Sequence, residues 1–240
     1  MRVWFFPSGR TEAPRRCAAP KRGLPVPSRA ESLPHTPIPP TLPHKVLNPL
    51  NKLLILDTEY CSTTHELAQL SYILLHNGTT TCKNFYFQVS AMDEGSFRVN
   101  GLSFDWLQTH GIPCSSVRDE ILSDFSSATL IAHNLNADKR VLEQSFGPLP
   151  NAFGLCTMYR FAKVLKLPGG RPYKMPSLRE LMAHYAVTED EVTALTQSDF
   201  SCDTAHHDAR WDAEAVRLCT LRAMQNGDCR NLLPDSPQQM

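Results

Sequence analysis

The sequence predicts an α/β domain in which a three-strand antiparallel meander is followed by alternating short strands and helices. Leu53–Leu56 is an apolar run bounded by polar residues, which is typical of a buried strand. Asn77-Gly78 lies between two further strand-like runs and is a strong hairpin signal. Beyond residue 128, short apolar runs alternate with helical patterns, which predicts helices packed on a sheet.

The meander is predicted over residues 52–58, 68–75 and 82–89. Its first strand ends in Asp57 and Glu59, whose side chains point to the same face because they are two residues apart. Two neighbouring anions are costly to bury without a cation between them, and a hard divalent ion such as Mg²⁺ is the natural candidate. Roughly one Asp-x-Glu is expected by chance in a chain of this length, so the pair indicates a site only if other carboxylates join it.

Two short helices are predicted after the meander. Asn100-Gly101 interrupts the chain, and Ser103 can cap a helix that runs to Leu107. A second helix is predicted over residues 116–125.

A further carboxylate follows the next predicted strand, residues 129–132. His133-Asn134 leads into a helix over 136–146, on which Asp138 shares one face with Val141 and Leu142. The carboxylate therefore stands at the head of an apolar stripe. An aspartate that only interacts favourably with the helix dipole would show the same pattern.

The next segment, with a strand at 153–156 and a helix at 158–165, leads into a region rich in basic residues. Ser177-x-x-Glu180 and Thr188-x-x-Glu191 predict the starts of two more helices, the first reaching about Tyr185 and the second small and acidic. The region from 160 to 179 fits contact with a phosphate backbone, and equally a solvated helix face with its loop. Its basic residues, with no acidic residue among them, are Arg160, Lys163, Lys166, Arg171, Lys174 and Arg179.

The last predicted helix, residues 208–224, places Asp212 on one face with Val216 and Cys219. His207 precedes this helix and lies close to Asp212, although a surface histidine would have the same position. If this helix and the helix of Asp138 both pack on the sheet, their carboxylates can meet those of the first strand. Four such groups repel one another strongly, and two divalent cations at ~3.5–4 Å spacing would turn that repulsion into a site for phosphodiester chemistry.

In this order and placement the motifs resemble those of the DEDDh 3′→5′ exonucleases, over about residues 50–225. The resemblance implies a ribonuclease H-like fold, a mixed sheet in which the antiparallel meander is joined to parallel strands and flanked by helices. Residues 132–142 are similar to the branch that contains exonuclease X and the epsilon subunit of DNA polymerase III. The three motifs are Asp57-x-Glu59, His133-Asn134-x-x-x-Asp138 and His207-x-x-x-x-Asp212.

Two positions depart from the family pattern. Tyr60-Cys61-Ser62 follows the first motif where the family often has Thr-Gly, and Ala137 stands where an aromatic residue often precedes the second-motif aspartate. Both changes bear on how the terminal base is stacked, and neither removes a metal ligand.

The activity implied by the resemblance is hydrolysis of DNA or RNA from the 3′ end with two Mg²⁺ ions, for which Mn²⁺ substitutes. Asp57 would bridge the ions, Glu59 and Asp212 would hold the ion that binds the attacking water, and Asp138 would hold the second ion through water. His207 would be the general base. The pocket of the 3′-terminal nucleotide would include Asn100, Gly101 and Ser103, with Asn134 supporting the second motif.

The alternative is a catalytically weak or inactive exonuclease-fold module that binds nucleic acid or a polymerase. Degenerate members of such folds usually lose an acidic ligand, whereas this sequence keeps all four acids and the histidine. We therefore favour the enzyme, with single-stranded 3′ ends as partners. A homodimer and association with a polymerase are both compatible with the resemblance.

Composition divides the chain into a disordered extension (residues 1–48), an exonuclease domain (49–228) and a flexible tail (229–240). Residues 1–45 hold 10 of the 19 prolines and eight basic against two acidic residues, which leaves a net charge of −6 for residues 46–240. Such an Arg-rich leader is either a plain extension or an organelle-targeting segment, and its prolines oppose the amphipathic helix that targeting needs. The 8 cysteines follow no zinc pattern, which predicts reduced thiols in an intracellular compartment, the cytoplasm or nucleus, and no membrane span is expected.

Overall fold

The structure, a computed structural model, describes residues 52–150, 153–201 and 207–228. The predicted N-terminal extension, for which organelle targeting is the alternative to a plain extension, and the predicted C-terminal tail lie outside the described residues. The elements are β1 (Lys52–Tyr60), β2 (Leu67–His76), β3 (Thr79–Tyr86), α1 (Glu94–Asn100), α2 (Phe104–His110), α3 (Arg118–Phe125), β4 (Ala128–Ala132), α4 (Leu135–Phe146), β5 (Phe153–Cys156), α5 (Thr157–Leu165), α6 (Leu178–His184), α7 (Glu189–Phe200) and α8 (Ala209–Asn226).

One five-stranded mixed sheet, in the order β3-β2-β1-β4-β5, organises the described residues. The first three strands form the predicted antiparallel meander. The strands β1, β4 and β5 run parallel to one another. Their carboxyl ends therefore lie side by side at the same end of the sheet, which is where α/β folds commonly bind their ligands.

The hairpin between β2 and β3 follows the sequence signal. Asn77 (φ +51°) and Gly78 (φ +77°) both take positive φ, as a two-residue hairpin turn requires. Because this turn is so short, β3 begins at Thr79 and ends at Tyr86, three residues earlier than predicted. After α1 and α2, the chain returns to the end of β3, where the Ile112 backbone N–H donates to the Tyr86 carbonyl at 2.9 Å.

The predicted helices agree only in part with the structure. Helix α1 was not predicted; Asp93 caps it by accepting a hydrogen bond from the Ser96 backbone N–H. Helix α2 starts after Ser103 as predicted but continues to His110. The capping box of Ser177 is present at α6, and α7 is longer than the predicted small helix.

Strand β1 supplies side chains to both layers that cover the sheet. Leu54 and Leu56 belong to the core beneath α3 and α4. Leu53 and Ile55 belong to the core beneath α8. By this alternation, the odd-numbered residues at the end of β1 face the α8 layer and Thr58 faces the α4 layer.

Candidate active site

Three carboxylates converge at the carboxyl end of β1. Asp57 and Glu59 come from the strand, and Asp212 comes from the first turn of α8. One oxygen from each carboxylate lies within 4.8 Å of an oxygen of the other two. Carboxylate oxygens are the ligands that hard divalent cations prefer, so this donor set fits such an ion.

The position of Asp212 follows from how α8 begins. Asp208 caps the helix by accepting a hydrogen bond from the Arg210 backbone N–H at 3.0 Å, and it is also held by the Arg210 guanidinium. The side chain of Gln69, buried on β2, donates to Asp208 at 3.0 Å and accepts from the Ala209 backbone N–H at 3.3 Å. These bonds anchor the amino end of α8 to the sheet one turn before Asp212.

The fourth predicted acid reaches the strand from the other layer. Asp138 is 4% exposed on α4, and its Oδ1 accepts a hydrogen bond from the Thr58 hydroxyl at 2.8 Å. Thr58 stands between Asp57 and Glu59 on β1. The end of this one strand therefore carries two of the predicted acids and the hydroxyl that binds the fourth. Asp138 is outside the three-carboxylate cluster, yet its charge is among the causes that raise the pKa of Asp57.

Crowding and burial disturb the titration of these groups. Burial raises the pKa of Asp57 well above its ordinary value, and the Asp212 charge raises it further. Burial, followed by Asp212, raises the pKa of Glu59 to about 8, and burial raises that of Asp138 to about 7. A divalent cation would offset this repulsion and favour the ionised forms.

The predicted general base lies at the same end of α8 as Asp212. His207 directly precedes the capping residue Asp208, has an exposed side chain and takes a positive φ of 65°. Residues 202–206, before it, lie outside the described ranges.

The predicted nucleotide-pocket residues occupy the connection between α1 and α2. The Asn100 side chain is close enough to the Glu59 carboxyl to oppose the rise in its pKa, and the Asn100 Oδ1 accepts a hydrogen bond from the Leu102 backbone N–H at 3.0 Å. Gly101 ends α1 with φ +71°, a conformation that favours glycine. The hydroxyl of Ser103 caps α2. The connection is therefore joined to the carboxylate cluster through Asn100.

Asn134 lies at the start of α4 with φ +74°, and its side chain is exposed and makes no capping bond there. The neighbouring His133 is better connected. Its Nδ1 lies 3.0 Å from the Thr157 hydroxyl, burial lowers its pKa, and the nearby Pro176 carbonyl opposes that shift. His133 thus joins the ends of β4 and β5 to the loop before α6.

Sequence reasoning missed three residues that position the acids: Thr58, Gln69 and Asp208. Thr58 and Gln69 look like ordinary polar residues of a strand, because their partners are 80 and 139 residues away in sequence. A signal existed for Asp208, since an aspartate directly before a helix is a common N-cap.

The basic residues of 160–179 divide into two groups. Lys174 pairs with Glu180 at 2.6 Å and Arg179 with Glu189 at 3.6 Å. In the described ranges no ion pair joins Arg160, Lys163 or the loop cations Lys166 and Arg171 to a carboxylate.

Comparison with known proteins identifies the fold. No protein-family model matches the sequence, and no curated protein matches it significantly. The structure is similar to exonuclease X in complex with 5′-overhanging duplex DNA, at 17% identity and a TM-score of 0.53, over 73% of this chain and 93% of that chain. It is also similar to E. coli exonuclease I in complex with a dA16 oligonucleotide, at 15% identity and a TM-score of 0.56, over 76% of this chain and 43% of that chain.

A third similar structure is a moderately thermophilic exonuclease I from Methylocaldum szegediense, at 12% identity and a TM-score of 0.53, over 73% of this chain and 40% of that chain. The chain thus spans less than half the length of the exonuclease I chains and nearly all of exonuclease X. These likenesses confirm the predicted α/β fold, a mixed sheet flanked by helices, which this chain shares with exonucleases X and I. Among the helices of the described residues, none combines the length and apolar character needed to cross a membrane.

Proposed function

We propose that this chain is a metal-dependent 3′→5′ exonuclease of the DEDDh type that acts on single-stranded 3′ ends of DNA or RNA. The observation that carries the proposal is the cluster of Asp57, Glu59 and Asp212 oxygens within 4.8 Å, with Asp138 held against the same strand end. The exonuclease fold of the similar structures supports it.

Each carboxylate has a role in this proposal. Asp57, Glu59 and Asp212 would hold one divalent cation, and Asp138 would help to hold a second, both Mg²⁺ with Mn²⁺ as a substitute. When bound, the two cations supply a water of lowered pKa and stabilise the charge on the leaving 3′ oxygen. The protein keeps these oxygens in place through Thr58, Gln69 and Asn100, so that the ligands do not have to reorganise when the cations bind.

His207 takes the proton from the attacking water in this proposal. Its exposed position, at the end of α8 that carries Asp212, allows it to pass that proton on to solvent. A reference pKa near 6.5 suits a general base at neutral pH. Asn100, Gly101 and Ser103 line the pocket of the terminal nucleotide, and Asn134 supports the turn that presents Asp138.

The test is degradation of 5′-labelled and 3′-labelled single strands of DNA and RNA by the full-length chain, with Mg²⁺, with Mn²⁺ and with EDTA. We expect a descending ladder from the 5′-labelled strand and immediate release of a labelled mononucleotide from the 3′-labelled one. Both should be lost in EDTA. Binding of strands with no hydrolysis in either metal would instead support an inactive exonuclease-fold module.

A further inference from the structure

A cavity of about 480 Å³ lies beside the edge strand β5, between helix α5 and the loop that precedes α6. This size is within the usual range for small-molecule and cofactor pockets. Its floor is apolar and includes Leu155 on β5 and Ala162 on α5, while Met175 in the loop, which is 39% exposed, also lines it. None of the carboxylates proposed to bind metal lines it.

The rim of this cavity combines aromatic rings with cations. Tyr159, which is 49% exposed, and Tyr173 provide the rings. Arg160 and Lys163 provide the charges, and no acidic residue is among the residues that line the cavity. Within the described residues, no ion pair joins either cation to a carboxylate.

The loop wall has a defined shape. The Lys174 backbone N–H donates to the Leu167 carbonyl at 3.0 Å, which closes the loop on itself. Gly170, although exposed, approaches the backbone of the same loop so closely that a Cβ atom there would lie 2.2 Å from the Tyr173 carbonyl oxygen. The position of Tyr173 on the rim therefore depends on a glycine at residue 170.

The cavity and the carboxylate cluster both lie toward the carboxyl ends of the parallel strands. Cys156, which lines it, ends β5, and β5 runs parallel to β4 and β1. Two strand spacings separate β5 from β1, roughly 10 Å, or about three stacked nucleotides. His133 lies between these two strands. It contacts Thr157 at the start of α5 and is close to the Pro176 carbonyl in the loop before α6.

We propose that this cavity, the β5 pocket, binds a nucleotide of the substrate strand upstream of the end held at the carboxylate cluster. The inference rests on the proposed function, because the strand has to be the substrate of that cluster. The base stacks on Tyr159 or Tyr173 over the apolar floor, and the adjoining phosphates meet Arg160 and Lys163. Aromatic rings beside unpaired cations are the features that bind single strands without reading their sequence.

The charge distribution favours a nucleic acid strand over an apolar ligand. Residues 46–240 carry a net charge of −6, so a polyanion needs a local basic surface to approach this domain. The residues 160–171 provide such a surface, with four basic residues and no acidic one.

The experiment compares the wild type with Arg160→Ala/Lys163→Ala and with a charge-matched control, Lys52→Ala/Arg140→Ala. Lys52 begins β1, at the end of the strand away from the carboxylate cluster, and Arg140 is exposed on α4. Binding of fluorescent oligothymidylates of 2 to 12 nucleotides is measured in EDTA, and hydrolysis in Mg²⁺. The p-nitrophenyl ester of thymidine 5′-monophosphate serves as a substrate too short to reach the β5 pocket.

We expect the pocket variant to bind the 12-mer about ten-fold more weakly than the control variant and to hydrolyse the ester at the wild-type rate. The slope of log affinity against log salt should fall by about 1.4, since each phosphate contact on a single strand contributes about 0.7. Tyr159→Ala should weaken 12-mer binding and Tyr159→Phe should restore it, because stacking needs only the ring.

Equal 12-mer affinity in the pocket and control variants would overturn the β5 pocket, and so would a defect that does not depend on strand length. Failure of the wild type to hydrolyse either substrate would instead overturn the proposed function, while the EDTA binding series would still decide the pocket. Thermal unfolding of each variant verifies the fold.

Discussion

The Thr58 hydroxyl donates a hydrogen bond of 2.8 Å to Oδ1 of Asp138 from a position between two acids of the same strand. This single contact joins the α4 layer to the strand end at which the α8 layer presents Asp212. Asp138 is 4% exposed, so the hydroxyl replaces water as a partner of its carboxylate.

Replacing this hydroxyl by a methyl group in Thr58→Val should lower hydrolysis 10- to 100-fold at neutral pH, a typical effect of removing a partner of a metal ligand. The bond lowers the pKa of Asp138, which is about 7 in its presence, so its loss should also move the acid limb of the activity profile to higher pH. Steady-state kinetics across pH measure both effects. Thr58→Ser retains the donor and should behave as the wild type; equal kinetics for the valine variant would show that Thr58 does not position Asp138.

Removing one charge from the cluster in Asp57→Asn should abolish metal-dependent hydrolysis, by at least about 10³-fold, and stabilise the metal-free protein. The carboxyl is buried near other anions without a cation, which raises its pKa, so neutralising it should raise the free energy of unfolding. Activity assays and urea unfolding in EDTA at pH 8 test this. Asp119→Asn on α3, whose side chain is 96% exposed, is the control. Metal-dependent cleavage by the Asp57→Asn variant would refute the assignment of the site.

Stability without metal should fall as pH rises from about 5 to about 8. The folded protein keeps protons on Glu59, with a pKa of about 8, and on Asp138, with a pKa of about 7, over a range where the unfolded chain has released them. Because the folded state binds more protons there, raising the pH favours unfolding, by at most about 1.4 kcal/mol per pH unit per group.

Thermal unfolding at several pH values, in EDTA and in Mg²⁺, measures this dependence. Mg²⁺ binds the ionised carboxylates, so its stabilising effect should grow with pH. Glu59→Gln should flatten the EDTA curve. A melting temperature that rises between pH 5 and 8 in EDTA would contradict the raised pKa values.

Gln69→Leu should release the start of α8 from the sheet. Gln69 is 1% exposed and bonds Asn84, Asp208 and the Ala209 backbone. Its loss leaves the buried Ala209 backbone N–H without the Gln69 acceptor, which typically costs about 1–3 kcal/mol, whereas Asp208 keeps its bonds to Arg210. We expect turnover to fall 10- to 100-fold with little change in KM, measured beside Gln88→Leu on the exposed surface. If stability falls and turnover does not, Gln69 has only a structural role.

His207→Ala should reduce turnover by about 10²-fold or more, the usual contribution of a general base, and leave strand binding in EDTA unchanged. The control is His76→Ala, an exposed histidine at the end of β2. Rapid-quench kinetics separate the chemical step from product release. Unaltered chemistry in the alanine variant would leave the proton to another acceptor.

Local patterns predicted most of the fold. The turn at Asn77-Gly78 and the capping box at Ser177 depend on a few adjacent residues, and the structure contains both. Helix α1 was missed because its seven residues include Gly95 and have little apolar periodicity. Its signal was the capping residue Asp93.

The sequence predicted which residues belong to the candidate site better than it predicted how they are arranged around β1. Periodicity placed Asp138 and Asp212 on inward helix faces, and both are buried. It did not indicate that they approach β1 from opposite layers, because a helix pattern does not specify which face of a sheet the helix covers. The contacts of Thr58 and Gln69 span 80 and 139 residues and leave no periodic trace.

The position of β1 between two helical layers has a consequence for a nascent chain. A folding intermediate with only one layer docked can hold Asp138 or Asp212 against the strand, but not both. Under the proposed function, hydrolysis then belongs only to the fully assembled domain. A partly folded chain would therefore not cleave nucleic acid during its synthesis.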